Sequence, residues 1–271
     1  MGSETLPKLP TINFSQQNLS PGTNSWFSTC IEVQHALEEY GHFVAVFDEA
    51  TLEIHNAIFR TMKELFDLPT EAKIQNTSHK PYHGYVGQLP FIPLHESLGI
   101  NNSTTQEGVQ SFTKIMWPAG NQHFYESVHS YSKLLAELQE IVMRMVLESY
   151  GIKDGYDSHI GSTTYLLLVM KNQAPEMTVN NVTFPSHTDK SFTTILQQKQ
   201  VSGLEIETKD GNWIAFEPPS PLPCVMAGDA FMAWSNGRIH SPNHQVVLRG
   251  NEERYSLGAV FFQQRDNKNT R

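Results

Sequence analysis

From residue 162 onward the chain reads as short β-branched, aromatic and aliphatic runs cut by turn residues, and no other feature restricts its fold as much. Residues 163–170 and 191–198 are two such runs. Residues 203–207 lead through Asp210-Gly211 into Trp213-Ile214-Ala215-Phe216, a hairpin signal. Residues 224–226, 230–234, 245–248 and 255–263 continue the series as expected strands. Many short strands with turns between them predict two packed sheets, a β-sandwich or jelly roll.

The first half has the other periodicity. Apolar residues at three- and four-residue intervals predict helices from Ser25 to Gly41, from Thr51 to Pro69 and from Asn121 to Gly151. In the first of these the stripe is Phe27, Cys30/Ile31, Val33, Leu37 and Tyr40. His42 to Phe47 is an apolar run suited to a strand. Residues 1–22, with Pro7, Pro10 and Pro21, are expected to be an extended lead-in with a short edge strand near Leu9, Ile12 and Phe14. Residues 76–120, rich in Pro, Gly and Asn, are expected to be loop and short strands. Helices first and strands second give an α+β class. One domain over 1–271 is expected, mainly helical over 1–160 and β-rich over 161–271.

Charge and composition remove several functions. A formal net charge of −9 argues against nucleic-acid binding, which needs a basic footprint. The 19 Lys and Arg are scattered, and no apolar run is long enough to span a bilayer, so no membrane partner is expected. Two cysteines, Cys30 and Cys224, make neither a disulfide framework nor a thiolate cluster. A cytoplasmic monomer is the expectation.

Chemistry concentrates in His187-Thr188-Asp189. On an extended chain residues i and i+2 share a face, so imidazole and carboxylate reach one ion. A second imidazole completes a two-histidine, one-carboxylate facial triad with adjacent open positions, a set suited to non-haem Fe(II). His240 and His244 both compete for that place. His244 is favoured because it directly precedes the apolar run Val246-Val247-Leu248 and stands ten residues before Arg254. Arg254 and Ser256 share a face with Gly258, Val260 and Phe262, so that face points inward. An inward arginine must find an anion, because an unpaired buried charge costs several kcal/mol. A small dicarboxylate gripped by the guanidinium fork fits.

Together these motifs resemble plant Fe(II)/2-oxoglutarate-dependent dioxygenases. Pro81 to Gln88, Met116-Trp117-Pro118, Tyr165 to Lys171, Asn236-Gly237-Arg238 and His240-Ser241-Pro242 are similar to the AOP-type subgroup, which includes glucosinolate-modifying enzymes. The resemblance covers nearly the whole chain. It implies a double-stranded β-helix (jelly roll) core with N-terminal and flanking helices. It further implies Fe(II) on His187, Asp189 and His244, and 2-oxoglutarate on Arg254 and Ser256. It also implies O2 as the oxidant and ascorbate to keep the iron reduced. The reaction implied is hydroxylation, desaturation or dealkylation of a small plant metabolite, with release of succinate and CO2. By motif position the substrate pocket draws on Tyr82, His83, Phe112, Lys114, Phe192 and Phe262.

Two departures stand out. The family's co-substrate tyrosine position is Asn172 here, and Leu168 stands where AOP-type chains often carry arginine. Asn172 is therefore expected to give a weakened co-substrate clamp. Two other readings fit the same motifs: an oxidase that uses no 2-oxoglutarate, like aminocyclopropane carboxylate oxidase, and a non-catalytic jelly-roll binding protein.

Overall fold

Along the chain, strand β1 (Thr11–Asn13) pairs in parallel with β2 (His42–Val46), as the edge strand near Ile12 should. Between them, α1 (Asn24–Glu39) is capped by Thr23, whose hydroxyl accepts the Trp26 amide. The computed structural model describes residues 9–15, 19–152, 154–174, 181–217 and 222–263; of the lead-in expected over residues 1–22, residues 1–8 and 16–18 lie outside them. Helix α1 buries Trp26, Cys30, Val33, Ala36 and Leu37, a stripe turned from the expected one. Phe27 is 54% exposed and Ile31 67%. The rotation follows Trp26, whose indole Nε1–H donates to Glu148 at 2.6 Å and draws that edge of the helix inward.

Helix α2 (Leu52–Phe66) starts on Thr51 as predicted and is followed by α3 (Thr70–Lys73), β3 (Tyr85–Val86) and β4 (His95–Asn101). The stretch expected to be loop then corrects itself to a helix, α4 (Gln106–Met116). Thr105 caps it and Val109, Phe112, Thr113 and Met116 face the core. Gly108 hid the pattern. It is needed because a β-carbon there would meet the Asn102 carbonyl oxygen at 2.3 Å.

Helix α5 (Gln122–Ser149), about 42 Å long at 1.5 Å per residue, packs against α1, α2 and α4. Then come α6 (Tyr156–Gly161), β5 (Thr163–Asn172), β6 (Val182–His187), β7 (Thr193–Gln198), β8 (Leu204–Glu207), β9 (Trp213–Ala215) and β10 (Cys224–Ala227). The strand expected over 230–234 is instead helix α7 (Asp229–Trp234). Gly228 starts it, its carbonyl accepting the amides of Phe231 and Met232. Strands β11 (His244–Val247) and β12 (Arg254–Gln263) end the described chain.

The strands form the two sheets of a jelly roll. One runs β1-β2-β10-β7-β12-β5-β4-β3, the other β6-β11-β8-β9. Strict alternation divides the larger sheet. On β12, Tyr255, Leu257, Ala259 and Phe261 join the core beneath the helices, while Arg254, Ser256, Gly258, Val260 and Phe262 line a cavity. On β5, Leu167 and Val169 face the core and Leu166, Leu168, Met170 and Asn172 the cavity. The smaller sheet supplies the opposite wall with Phe184, His187, Leu204, His244 and Val246. The cavity therefore lies between the sheets.

Candidate active site

Strands β6 and β11 pair antiparallel with His187 opposite His244, and Asp189 follows two residues after the end of β6. The Nε2 atoms of His187 and His244 lie 3.8 and 3.7 Å from Asp189 Oδ1. One ligand atom from each residue lies within 4.8 Å of the others. These spacings are too long for hydrogen bonds, so the groups converge without satisfying one another. Each imidazole is turned by its far nitrogen. His187 Nδ1 donates to the Pro185 carbonyl at 2.9 Å, and His244 Nδ1 to that of Pro242 at 3.5 Å. That tautomer leaves both Nε2 lone pairs facing Asp189, the arrangement that metal-binding histidines use. Burial pulls His244 below the usual imidazole range, with Asp189 opposing the shift. His240 is not part of this cluster; its backbone N–H goes to the Leu37 carbonyl.

The turn carrying Asp189 is pinned from behind. The Asp229 amide donates to the Asp189 carbonyl at 2.7 Å, and its carboxylate accepts from Thr188 at 3.2 Å, Ser241 at 2.8 Å and Lys190. Burial works to raise the Asp229 pKa, but those hydrogen bonds hold it below the usual carboxylate range. Gly228 lets the two segments touch: a β-carbon there would meet the Ser191 and Asp189 carbonyl oxygens at 2.3 and 2.9 Å.

Across the cavity, Arg254 is 4% exposed. Its Nε and Nη2 donate to Gln198 Oε1 at 3.3 and 3.0 Å, and its Nη1 donates to Ser256 Oγ at 2.8 Å and Asn172 Oδ1 at 3.3 Å. All these acceptors are neutral, and among the described residues no carboxylate reaches it. Burial pulls the guanidinium down to about 10, still charged at neutral pH. One Nη2 hydrogen remains, and Ser256, which accepts from Arg254, keeps its own hydroxyl hydrogen to donate. The pair thus presents two donors and a full positive charge to an incoming anion.

Strand register adds a residue that sequence reading missed. Asn172 on β5 stands opposite Arg254 on β12 and opposite His95 on β4. His95 is 4% exposed, lines the cavity and meets Asn172 Nδ2 through Nδ1 at 3.2 Å. Burial, with Arg254 and His187 nearby, pulls its imidazole down to about 4. The available signal was the alternation His95, Ser97, Gly99 against Leu98, Ile100, which marks a half-buried strand.

The cavity holds roughly 850 Å³ and its wall is mostly apolar, including Leu166, Leu168, Met170, Val260 and Phe262. Of the expected pocket residues, Tyr82, His83 and Phe262 line it, with His83 stacked on Phe262 at 5.7 Å. The other three are elsewhere. Phe112 packs on Phe124 in the helical core, Lys114 is exposed on α4, and Phe192 stacks on Phe231 at 4.3 Å behind the sheet. Position 168 lies on the cavity wall, where leucine presents an apolar side chain.

Two family models match the chain: the 2OG-Fe(II) oxygenase superfamily over residues 153–264, and the N-terminal region of the non-haem dioxygenase in morphine synthesis over 9–112. Over 258 residues the chain is 43% identical to probable 2-oxoglutarate-dependent dioxygenase AOP1 of Arabidopsis thaliana, spanning 93% of this chain and 79% of that one. The chain belongs to the plant 2-oxoglutarate-dependent dioxygenases of the AOP type. This AOP-type dioxygenase is also 30% identical to 2-oxoglutarate-dependent dioxygenase AOP3 of the same plant, over 94% of this chain and 85% of the relative. Its fold matches a dioxygenase for auxin oxidation from Arabidopsis thaliana in a 2-oxoglutarate complex, with a TM-score of 0.87 at 24% identity over 96% and 94% of the two chains. As a member of its family the dioxygenase works with Fe(II), 2-oxoglutarate and O2, with ascorbate as the usual reductant. Two imidazoles and a carboxylate on one side of the cavity fit that ion.

Proposed function

We propose that His187, Asp189 and His244 hold the Fe(II), that Arg254 and Ser256 anchor 2-oxoglutarate by its distal carboxylate, and that the substrate is a small, largely apolar plant metabolite. The carrying observation is Arg254: a buried, charged guanidinium with only neutral acceptors, in the same cavity as three convergent ligand atoms. A buried charge left this way is satisfied by a ligand anion. When bound, the iron supplies O2 activation coupled to decarboxylation of 2-oxoglutarate to succinate and CO2, and the oxidation of substrate.

The protein's own contribution is placement. His187 and His244 present Nε2 lone pairs because Pro185 and Pro242 take their Nδ1 hydrogens. Arg254 and Ser256 fix one end of the co-substrate, so its other end is delivered toward the triad. Leu166, Leu168, Met170, Val260 and Phe262 keep water from the reacting region and favour apolar carbon over charged groups. Tyr82 and Phe91, at the cavity's exposed edge, give an aromatic entrance for the substrate. Hydroxylation, desaturation and dealkylation all begin from such a placement. The proposed working form is a single-domain cytoplasmic monomer with no nucleic-acid or membrane partner; among the described residues no helix is long and apolar enough to cross a membrane.

The test is succinate release from 2-oxoglutarate by the Fe(II)-loaded protein across fractionated plant metabolite pools. Succinate formation that depends on a fraction, and disappears in Asp189→Ala, supports the reading. Protein that binds Fe(II) and consumes no 2-oxoglutarate with any fraction overturns it.

A further inference from the structure

The row Arg254–Asn172–His95 runs across three adjacent strands, each residue directly opposite the next. Its hydrogen bonds have only one consistent polarity. Arginine only donates, so Asn172 Oδ1 accepts from Arg254 Nη1 and the amide Nδ2 must point the other way. Nδ2 carries only hydrogens, so at 3.2 Å His95 Nδ1 is the acceptor. A neutral imidazole with a bare Nδ1 carries its hydrogen on Nε2. That Nε2–H meets no partner among the described residues, although the side chain is almost wholly buried and lines the cavity. Phe184 packs edge-on against both His95 and His187, each at 4.8 Å, so the ring lies on the path between Arg254 and the metal-binding side.

We propose that His95 is a positioning and binding residue for 2-oxoglutarate: its Nδ1 locks the Asn172 amide against Arg254, and its Nε2–H donates to the bound dianion. The inference rests on the reading that Arg254 anchors that co-substrate. It makes Asn172 the middle of a relay, an orienting group for Arg254 rather than a shortened replacement for a tyrosine hydroxyl.

The experiment is calorimetric titration of 2-oxoglutarate into Mn(II)-loaded protein without O2, so that no turnover is needed. His95→Leu removes both bonds and should raise Kd about ten- to a hundredfold, the worth of a hydrogen bond to a charged group. His95→Asn keeps an acceptor near the Nδ1 position, and His95→Gln keeps a donor near Nε2; each should fall between wild type and His95→Leu. Combining His95→Leu with Asn172→Ala should cost less than the product of the two single losses, a coupling that general destabilisation does not produce. Arg254→Met separates the two readings. If it abolishes binding while His95→Leu stays within threefold of wild type, His95 has no such role. Should Arg254→Met itself bind normally, the anchor assignment fails and the His95 proposal falls with it. Additive losses for His95 and Asn172 would also overturn the relay.

Discussion

Replacing Arg254 by methionine should stabilise the empty protein while abolishing its response to 2-oxoglutarate. Burial lowers the guanidinium from 12.5 to about 10, a penalty of roughly 3 kcal/mol on the charged form. Because the folded-state value lies below the unfolded one, the penalty acts in full below about pH 10 and is relieved only above it. Methionine removes it and fills a similar volume. Against that gain, Gln198 Oε1, Asn172 Oδ1 and Ser256 Oγ lose their donor at about 1 kcal/mol each, largely recovered by water because all three line the cavity. The net is a gain of up to about 2 kcal/mol, or up to about 4 °C in Tm for a chain of this size. Wild-type protein should instead gain about 2.7 kcal/mol from 2-oxoglutarate at a hundred times its Kd. Thermal unfolding of Mn(II)-loaded protein under argon, with and without 2-oxoglutarate, reads both effects. The mutant should match or exceed wild type when empty and fall below it when the ligand is present. A mutant that is destabilised by more than 2 kcal/mol when empty and still gains stability from 2-oxoglutarate would refute the idea of an uncompensated charge awaiting an anion.

Asp189→Ala should eliminate succinate formation and lower Mn(II) affinity, measured by competition with a fluorescent chelator; unchanged turnover would remove Asp189 from the metal site. Asn172→Asp places a carboxylate against Arg254 Nη1 and supplies the missing counter-ion internally, so 2-oxoglutarate Kd should rise at least about tenfold. An unaltered Kd would show that the guanidinium charge is not what the co-substrate meets. Gly228→Ala drives a methyl into the Ser191 and Asp189 carbonyls and should weaken metal binding about ten- to a hundredfold, as loss of support behind metal ligands does. Metal affinity equal to wild type would mean that the turn carrying Asp189 is held by other contacts.

Apart from His244, placed by its distance from Arg254, the residues legible in the sequence were those whose neighbours in space are neighbours in the chain. His187 and Asp189 announce themselves by spacing, and the inward face of Arg254, Ser256, Gly258, Val260 and Phe262 follows from the period of one strand. His95 and Gln198 were hidden because register between strands puts them beside Arg254, and register depends on partners far away in sequence. Phe112 and Phe192 were misplaced for a related reason. An aromatic side chain signals burial but not on which side of a sheet, and both lie on the helix-packed side. The run Ala230 to Trp234 suits a strand and a helix equally, and Gly228 with its carbonyl acceptor decides for the helix.

The two sheets divide the site between them. His187 and His244 belong to the four-stranded sheet, whereas Arg254, Ser256, Asn172 and His95 belong to the eight-stranded one. Neither sheet alone offers both a metal-binding set and a cation, so a molecule held at both ends must bridge the gap. A monocarboxylate satisfies one wall and leaves the other unpartnered, while a dicarboxylate of the right length satisfies both. Selectivity for the co-substrate then comes from the separation of the sheets, which the large core beneath the helices fixes, as much as from the charges. The remaining wall, from Leu166 through Leu168 to Val260 and Phe262, carries no charge and asks only for shape and apolar area. Substrate choice can therefore change by substitution along that wall without disturbing the row proposed to hold 2-oxoglutarate, because the two sets occupy different positions along the same strands.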